Sequence, residues 1–431
     1  MELEPVDNFI SYAGGSEQAM YILGYAKHLG CERIYVEEKY IDKDYIKDFQ
    51  LFYSRAFEDI SKTVTRIFFF GNDLKHADLI GHEMSDEDVQ RSCIGFVTIK
   101  PVKDKNGNPV IGRTSFKHYE VGAGKVFVES EQHAYLAGRE MTFETLPFKS
   151  QDAAVGACAS TALWIVTNGL KDRFDIPNMS LFEITRIATK YPTFEGRRFP
   201  SDGLSSGQMC FFLSEIGLEF DLMSMVDKST VDEYFETVVK AYVSANIPII
   251  AGLTLKRKDG GNDHHAVVIS GYRMTDDGKI AQLYVHDDQI GPYASITSDD
   301  GFKKWIYRKD DLWSRTCDTI ELELLMIPLY HKIRLPFPTI WGFRNDAIKR
   351  LGNTPAIRLA DSNRYKKELR SRDLDDPTKL ECQMPKYIWI FSFRQRDKLA
   401  DYILDATSVN PLPVCTIYHK KRGKQVKTIQ K

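Results

Sequence analysis

The sequence predicts an α+β protein in which helices precede a run of strands in the middle of the chain. From residue 148 to about 244 apolar residues recur at helical spacing, whereas from 248 to 327 they form apolar or alternating runs typical of strands. Helices followed by strands within one region are typical of the α+β class. Mixed patterns at both ends predict additional N- and C-terminal α/β regions.

The N-terminal part, residues 1–140, is predicted to form an α+β region of unknown role. Ser16 is a helix-capping residue, and apolar residues follow it at helical spacing through Leu29. The glycines at 122 and 124 lack the full phosphate-loop pattern and predict a turn. The other predicted elements are a helix over 44–60, strands over 65–70 and 93–100, and a hairpin turn at 106–107.

Two further regions follow, a central one over 145–330 and a C-terminal one over 340–431, with a proline-containing linker at 335–338. The central region is predicted to hold helices after Cys158, over 180–190, from Ser205 or Ser206 and over 230–244, and strands over 248–255, 266–272, 281–286 and 319–327. The C-terminal region, whose role is also unknown, contains strand patterns over 387–393 and 402–405 and a polar stretch over 361–379.

The charge balance argues against several classes of partner. The 431 residues include 58 Lys and Arg against 60 Asp and Glu, which gives no global attraction to nucleic acid or to anionic membranes. A basic tail over 419–431 is typical of a solvated chain end. The N-terminus lacks a secretory pattern and no window approaches the ~18 apolar residues of a membrane span, so a cytoplasmic location is predicted.

Cysteine usage predicts free thiols and no metal. The seven cysteines are odd in number and widely spaced, in a chain too large to need disulfide staples. No pair forms Cys-x-x-Cys, and no cluster of His and Cys has zinc-ligand spacing, so neither a metal nor a cofactor is expected. A cysteine with special surroundings is therefore the candidate for chemistry.

Cys158 has such surroundings. It follows a Gly-Ala turn and begins a predicted helix, where free backbone N–H groups and the helix dipole stabilise an anion such as a thiolate. Gln151, upstream on the same approach loop, has an amide that could donate a hydrogen bond to an oxyanion. For Cys158 taken alone, a buried structural cysteine is the commoner outcome.

A histidine and two aspartates lie on neighbouring predicted strands. His265, preceded by His264, stands at the mouth of an apolar strand, and a partly desolvated histidine beside a carboxylate is the usual base for activating a thiol. Because side chains alternate along a strand, the pattern leaves open which of the two histidines faces the site, and a pair in a polar loop is the alternative. The turn at 276–279 predicts a hairpin that brings His265 within a few residues of Asp287 and Asp288. The register leaves open which aspartate meets the histidine, and a merely polar turn at 287–292 is the alternative.

These segments resemble the papain-like cysteine peptidases, above all the bacteriocin-processing type. The resemblance covers about residues 148–328 and rests on the order of the four candidates and on the His-Ala-Val run that begins at 265. It implies a papain-like core, a helical half packed on an antiparallel sheet. It also implies Cys158 as nucleophile, His265 as base, Asp287 as the residue that orients the histidine, and Gln151 as oxyanion donor. Gln151 precedes Cys158 by one residue more than the family's usual interval.

The function that this resemblance implies is that of a cysteine peptidase, a thiol hydrolase that cleaves a peptide or isopeptide bond in a peptide or protein substrate. Two alternatives use the same fold: an acyltransferase in which an amine or thiol resolves the acyl-enzyme, and an inactive peptide-binding module. The long, apolar N-terminal region is expected to recruit a protein partner or to cap the site.

Overall fold

The computed structural model describes residues 3–71, 74–81, 84–119, 122, 124–192, 203–226, 231–372, 374, 376–395 and 398–419. These residues group into two compact units. The first comprises Met1–Ser229 and Asn246–Pro328, and the second comprises Thr230–Ala245 and Leu329–Lys431. This grouping by contacts does not test the predicted division at 1–140, 145–330 and 340–431, which stays a prediction.

The protein contains both helices and antiparallel sheets, which confirms the predicted α+β class. The helices are α1 (Phe9–Ala13), α2 (Glu17–His28), α3 (Lys43–Leu51), α4 (His76–Ile80), α5 (Asp86–Ser92), α6 (Cys158–Phe174), α7 (Leu181–Ala188), α8 (Ser206–Glu215), α9 (Val231–Val243), α10 (Leu312–Thr316), α11 (Phe337–Leu351) and α12 (Ser362–Arg370). The strands are β1 (Glu4–Pro5), β2 (Arg33–Tyr40), β3 (Val64–Phe70), β4 (Cys93–Lys103), β5 (Pro109–Phe116), β6 (Lys125–Phe127), β7 (Glu131–Leu136), β8 (Arg139–Glu144), β9 (Leu218–Ser224), β10 (Ile249–Arg257), β11 (Asn262–Met274), β12 (Ile280–Asp287), β13 (Gly291–Ile296), β14 (Cys317–Tyr330), β15 (Ala356–Asp361), β16 (Tyr387–Gln395), β17 (Lys398–Asp405) and β18 (Pro413–His419).

Two large sheets and a two-stranded one, β7-β8, build the first unit. The first is five-stranded in the order β1-β2-β3-β4-β5, and the second is seven-stranded in the order β13-β12-β11-β10-β14-β9 with β6 beside β11. β6 pairs with the far end of β11, where Gly271 faces Phe127. A Cβ at position 271 would lie 2.5 Å from a ring carbon of Phe127, so only glycine allows this close approach.

Most of the predicted helices begin where their capping residues indicate. The Ser16 side chain accepts from the backbone N–H of Ala19 at the start of α2. Ser205 and Gln208 form a reciprocal capping box at the start of α8, which decides between the two predicted capping serines. The helix predicted over 44–60 ends earlier, at Leu51, because the residues that follow it are mostly exposed and offer no continuous apolar face.

The elements that carry the candidate residues pack directly on one another. α6 lies against β10 and β11, and every residue from Ala159 to Asn168 is buried. β11 and β12 form the predicted hairpin, in which Val268 pairs with His286. α2 packs against β13, at the end of the same sheet. The candidate site therefore rests on rigid, buried elements.

The second unit is built on its own sheet, in the order β15-β16-β17-β18. Its interior includes a polar network in which the buried Asp401 accepts hydrogen bonds from Tyr365, Ser392 and His419. Part of the glycine turn at 121–125 and the basic tail from 420 onward lie outside the described residues. Among the helices of the described residues, none has the length and apolar character that crossing a membrane requires.

Candidate active site

Cys158 is the first residue of α6 and is half-exposed. The backbone N–H of Thr161 is the first in this helix to find an intrahelical acceptor, the carbonyl of Ala157. The N–H groups before it therefore have no acceptor within the helix and contribute to its positive end. A thiolate on Cys158 would lie beside these groups, as the sequence predicts.

His265 lies on β11 with its side chain buried, whereas the neighbouring His264 is exposed and pairs with Glu323 at 3.3 Å. Side chains alternate between the two faces of a strand, so consecutive histidines must diverge. This alternation settles which of the two histidines faces the site. The backbone of His265 pairs with Leu253 of β10, which fixes its position along the sheet.

His265 contacts both of its predicted partners. Its Nε2 lies 2.9 Å from Asp287 Oδ1, and its ring also hydrogen-bonds with the Cys158 side chain. Because a carboxylate only accepts, Nε2 is the donor toward Asp287, and Nδ1 is the ring nitrogen left for the sulfur. Burial would lower the pKa of His265, but the Asp287 carboxylate and these hydrogen bonds raise it well above its ordinary value.

Asp287 is completely buried and accepts four hydrogen bonds. Oδ1 accepts from His265 Nε2 and from the backbone N–H of Gln289 at 3.0 Å. Oδ2 accepts from the Tyr307 hydroxyl at 2.9 Å and from Trp313 Nε1 at 2.8 Å. Burial would raise the pKa of Asp287, but the positive charge of His265 and the donated hydrogen bonds outweigh it and lower that pKa. Asp287 is therefore held as a carboxylate.

Asp288 occupies a different environment. Its Oδ1 lies 3.8 Å from His265 Nε2, which is too long for a hydrogen bond, and its Oδ2 accepts from Gln289 Nε2 at 2.9 Å. Burial raises the pKa of Asp288 to about 6; the charge of His265 opposes this shift and that of Asp287 adds to it. Of the two aspartates that the sequence left open, Asp287 is thus the one hydrogen-bonded to the histidine.

Gln151 is half-buried and is tied to this cluster by one contact. Gln289 Nε2 donates to Gln151 Oε1 at 3.1 Å. The residues on either side of Gln151 are anchored to the β4–β5 hairpin: Ser150 bonds to the carbonyl of Ile111, and Asp152 bonds to Lys100. The structure thus brings His265 into contact with both Cys158 and Asp287, and it joins Gln151 to this group through Gln289.

Three side chains of this cluster also lie close enough together to bind a metal ion. In the part of the chain that the structure describes, His265, Asp287 and Asp288 have ligand atoms within 4.8 Å of one another. Both oxygens of Asp287 already accept hydrogen bonds, and His265 Nε2 donates into one of them. A cation would have to displace these donors, so the arrangement suits proton transfer better than metal ligation.

Three residues of the site were not predicted from the sequence: Gln289, Tyr307 and Trp313. Gln289 directly follows the two aspartates, and a polar amide in this position could have indicated a further residue of the site. Tyr307 and Trp313 lie 20 and 26 positions after Asp287, with their side chains buried against it. No local pattern marks these two, because Tyr307 lies in an irregular segment after β13 and Trp313 lies in α10, which is too short to show a periodicity.

No protein-family model matches this sequence, and no curated protein matches it. Several solved structures, among them the following three, are similar to parts of it. A double glycine motif protease from an AMS/PCAT transporter, in complex with its leader peptide, is 16% identical over 42% of this chain and 91% of that chain, with a TM-score of 0.22. UfSP from C. elegans is 14% identical over 49% of this chain and 35% of that chain, with a TM-score of 0.27.

The third structure is the active wild-type interpain A cysteine protease of Prevotella intermedia. It is 14% identical over 52% of this chain and 85% of that chain, with a TM-score of 0.22. TM-scores this low mark a distant and partial likeness. Two of these three similar structures are described as proteases, and one of them as a cysteine protease.

Proposed function

We propose that this protein is a cysteine peptidase that cleaves a peptide or isopeptide bond through a thioester acyl-enzyme. One observation carries the proposal: a buried His265, bonded through Nε2 to Asp287, meets Cys158 at the beginning of a helix. A histidine whose pKa is raised by a buried carboxylate is protonated at neutral pH and stabilises a thiolate beside it.

The first half of the reaction forms the acyl-enzyme. The Cys158 thiolate attacks the carbonyl carbon, a C–S bond forms, and negative charge develops on the carbonyl oxygen. The C–N bond then breaks, and the imidazolium of His265 gives its proton to the departing amine. In the second half, neutral His265 takes a proton from water as the water attacks the thioester, and the thiolate leaves.

Asp287 keeps the histidine in the right form for both halves. Because both of its oxygens accept hydrogen bonds, it directs the Nε2–H of His265 toward itself and leaves Nδ1 to exchange a proton at the sulfur. The negative charge that develops on the carbonyl oxygen of the substrate has to be stabilised by other hydrogen-bond donors. The Gln151 amide and the N–H of Cys158, which has no acceptor within α6, are the groups that we assign to this task.

Covalent labelling tests the proposal and does not require the substrate to be identified. The intact protein is incubated with a peptide vinyl sulfone at pH 6.5, and the modified residue is located by mass spectrometry. We expect a single fast modification at Cys158, which the variants C158A and H265A lose. In a peptide library, C158A should also lose cleavage by about 10⁴-fold or more.

Cys210 provides the matched control, because it is also half-exposed and burial raises its pKa to about 11. C210A should be labelled as fast as the unaltered protein. If C158A is labelled as fast as the unaltered protein, or if it still cleaves the library at an undiminished rate, Cys158 is not the nucleophile and the proposed function is wrong.

A further inference from the structure

The side chain of Gln289 connects the two halves of the candidate site. Its Nε2 donates to Asp288 Oδ2 at 2.9 Å and to Gln151 Oε1 at 3.1 Å. An amide nitrogen carries two hydrogens, so these two bonds use both of them. The backbone N–H of the same residue donates to Asp287 Oδ1 at 3.0 Å. Gln289 thus touches the carboxylate of the histidine pair and also the candidate oxyanion donor.

These contacts fix the orientation of two side-chain amides, first that of Gln289 and then that of Gln151. An ionised carboxylate only accepts hydrogen bonds, so Asp288 selects the NH₂ end of Gln289. That nitrogen then requires an acceptor at its second neighbour, which makes the contacting atom of Gln151 its oxygen. The NH₂ group of Gln151 must lie on the other side of its amide, where it bonds to no acceptor among the residues that the structure describes.

The other contacts in this region anchor the backbone on either side of Gln151 and not its side chain. Ser150 donates to the carbonyl of Ile111 at 2.8 Å, and Lys100 lies 2.9 Å from Asp152 Oδ2. These anchors fix the chain on both sides of position 151 but do not touch its side chain. Gln289 is the partner that selects the rotamer and the flip state of the Gln151 amide.

We propose that Gln289 is a positioning residue that holds the Gln151 amide with its N–H groups available to the oxyanion. The inference rests on the proposed function, since it assumes acyl transfer at Cys158. In this arrangement the three consecutive residues Asp287, Asp288 and Gln289 serve both halves of the site. The first orients the base, and the other two orient the oxyanion donor.

Two small reagents separate positioning of the oxyanion donor from general damage to the site. Acylation of Cys158 by p-nitrophenyl acetate builds charge on a carbonyl oxygen, so its rate depends on oxyanion donors. Alkylation by iodoacetamide displaces iodide at carbon and builds no oxyanion, so it reports only the thiolate and the fold. The ratio of the two rates therefore isolates the contribution of Gln151, and neither reagent requires a known substrate.

The variants are Q289M, which keeps the length of the side chain but removes both donors, Q151L, and the double variant. We expect Q151L to lower the ratio of acylation to alkylation by about 10²-fold and Q289M to lower it by about 10-fold. The double variant should be no worse than Q151L alone, because Gln289 acts through Gln151. Q18M is the matched control: Gln18 donates to the backbone carbonyl of Asp288 and does not touch Gln151, so its ratio should stay unchanged.

Three outcomes would overturn the inference. The first is a Q289M variant that is acylated and alkylated at the rates of the unaltered protein. The second is an equal loss of acylation and alkylation in Q289M, which would indicate damage to the fold or to the thiolate. The third is a loss in the double variant that multiplies the two single losses. None of these affects the proposed function, whose own failure would appear separately as unaltered labelling of C158A.

Discussion

Trp313 donates its indole N–H to Asp287 Oδ2 at 2.8 Å, the carboxylate oxygen that His265 does not use. Tyr307 donates to the same oxygen at 2.9 Å. The Trp313 ring also lies 5.0 Å from the His265 ring, centroid to centroid, so one tryptophan contacts both members of the buried pair. Because donors occupy both oxygens, the carboxylate cannot turn away from His265 without losing hydrogen bonds.

The variants Y307F and W313F should each weaken the hold on Asp287. Each removes one hydrogen bond to a buried carboxylate and leaves an apolar ring in its place. We expect a loss of about 1.5–3 kcal/mol in the free energy of unfolding, which is typical of hydrogen bonds to charged groups. Urea unfolding at pH 7 measures this loss.

The matched control for these variants is Y272F. Tyr272 is buried on β11, but its hydroxyl bonds to none of the residues that the structure describes. Its loss should therefore change the free energy of unfolding by no more than about 0.5 kcal/mol. Equal effects of Y307F and Y272F would show that the hydrogen bond to Asp287 contributes nothing to stability.

A comparison of D287N with D288N tests which aspartate orients the histidine. In D287N, Tyr307 and Trp313 still donate hydrogen bonds to the remaining side-chain oxygen at position 287. The new NH₂ group therefore faces His265, and His265 Nε2 has to accept a hydrogen bond from it. The ring proton then moves to Nδ1, where it blocks proton transfer from the thiol. Acylation by p-nitrophenyl acetate should fall by about 10³–10⁴-fold in D287N and by less than about 10-fold in D288N. A larger loss in D288N would exchange the two assignments.

Asp288 should also give the protein a specific dependence of stability on pH. Burial raises the pKa of Asp288 from 3.8 to about 6, so the folded state binds this proton more tightly than the unfolded state. The resulting stabilisation is complete below pH 3.8 and is lost as the pH rises to about 6. A pKa difference of this size corresponds to ~3 kcal/mol. The free energy of unfolding of D288N, relative to that of the unaltered protein, should therefore increase by about 3 kcal/mol as the pH rises from 4 to 6.

D287N is the counterpart in this experiment. The pKa of Asp287 is lowered, so its contribution is present above the pKa of the unfolded chain and is lost as the pH falls. The difference between D287N and the unaltered protein should therefore change little between pH 5 and 6. Unfolding free energies of D288N and the unaltered protein that run parallel from pH 4 to 6 would contradict the assignment to Asp288.

The sequence alone predicts the elements of the site well where a local pattern exists. Cys158 at a helix start, His265 on an apolar strand and the hairpin that leads to Asp287 follow from periodicity and turn residues. The strand begins earlier than the sequence predicts, at Asn262, so His265 lies within it and not at its mouth. The choice between Asp287 and Asp288 could not be made in this way, because it depends on one hydrogen bond within a hairpin that contains a bulge. Long-range partners such as Trp313 leave no periodic signal at all.

The contacts of the N-terminal region were likewise hidden from the sequence. Lys100 on β4 is almost completely buried, with Nζ 2.9 Å from Asp152 Oδ2 and 3.8 Å from Asp48 Oδ2. Tyr53 donates to the other oxygen of Asp152 at 2.6 Å. An isolated lysine in an apolar strand gives no indication of its partner when the two lie 52 residues apart.

The variant K100M should therefore destabilise the protein strongly. It leaves Asp152 and Asp48 buried without their cation, and loss of one partner of a buried pair typically costs about 3–5 kcal/mol. K103M is the matched control, since Lys103 lies on the same strand but is exposed and should change the free energy of unfolding by at most about 0.5 kcal/mol. Urea unfolding of both variants measures the difference, and an equal effect would show that the buried pair does not stabilise this segment.

Removal of residues 1–140 should abolish folding of the first unit. The deletion takes away Lys100 and Tyr53, which hold the segment of Gln151 and Asp152, and β6, which pairs with the strand that carries His265. We expect the truncated chain to show no cooperative thermal unfolding and no selective labelling of Cys158 by iodoacetamide. A truncated chain that unfolds cooperatively and is still labelled at Cys158 would contradict this. Because the truncated chain is not expected to fold, its loss of activity would not show that residues 1–140 bind a partner. The predicted partner has to be sought with surface variants of the full chain.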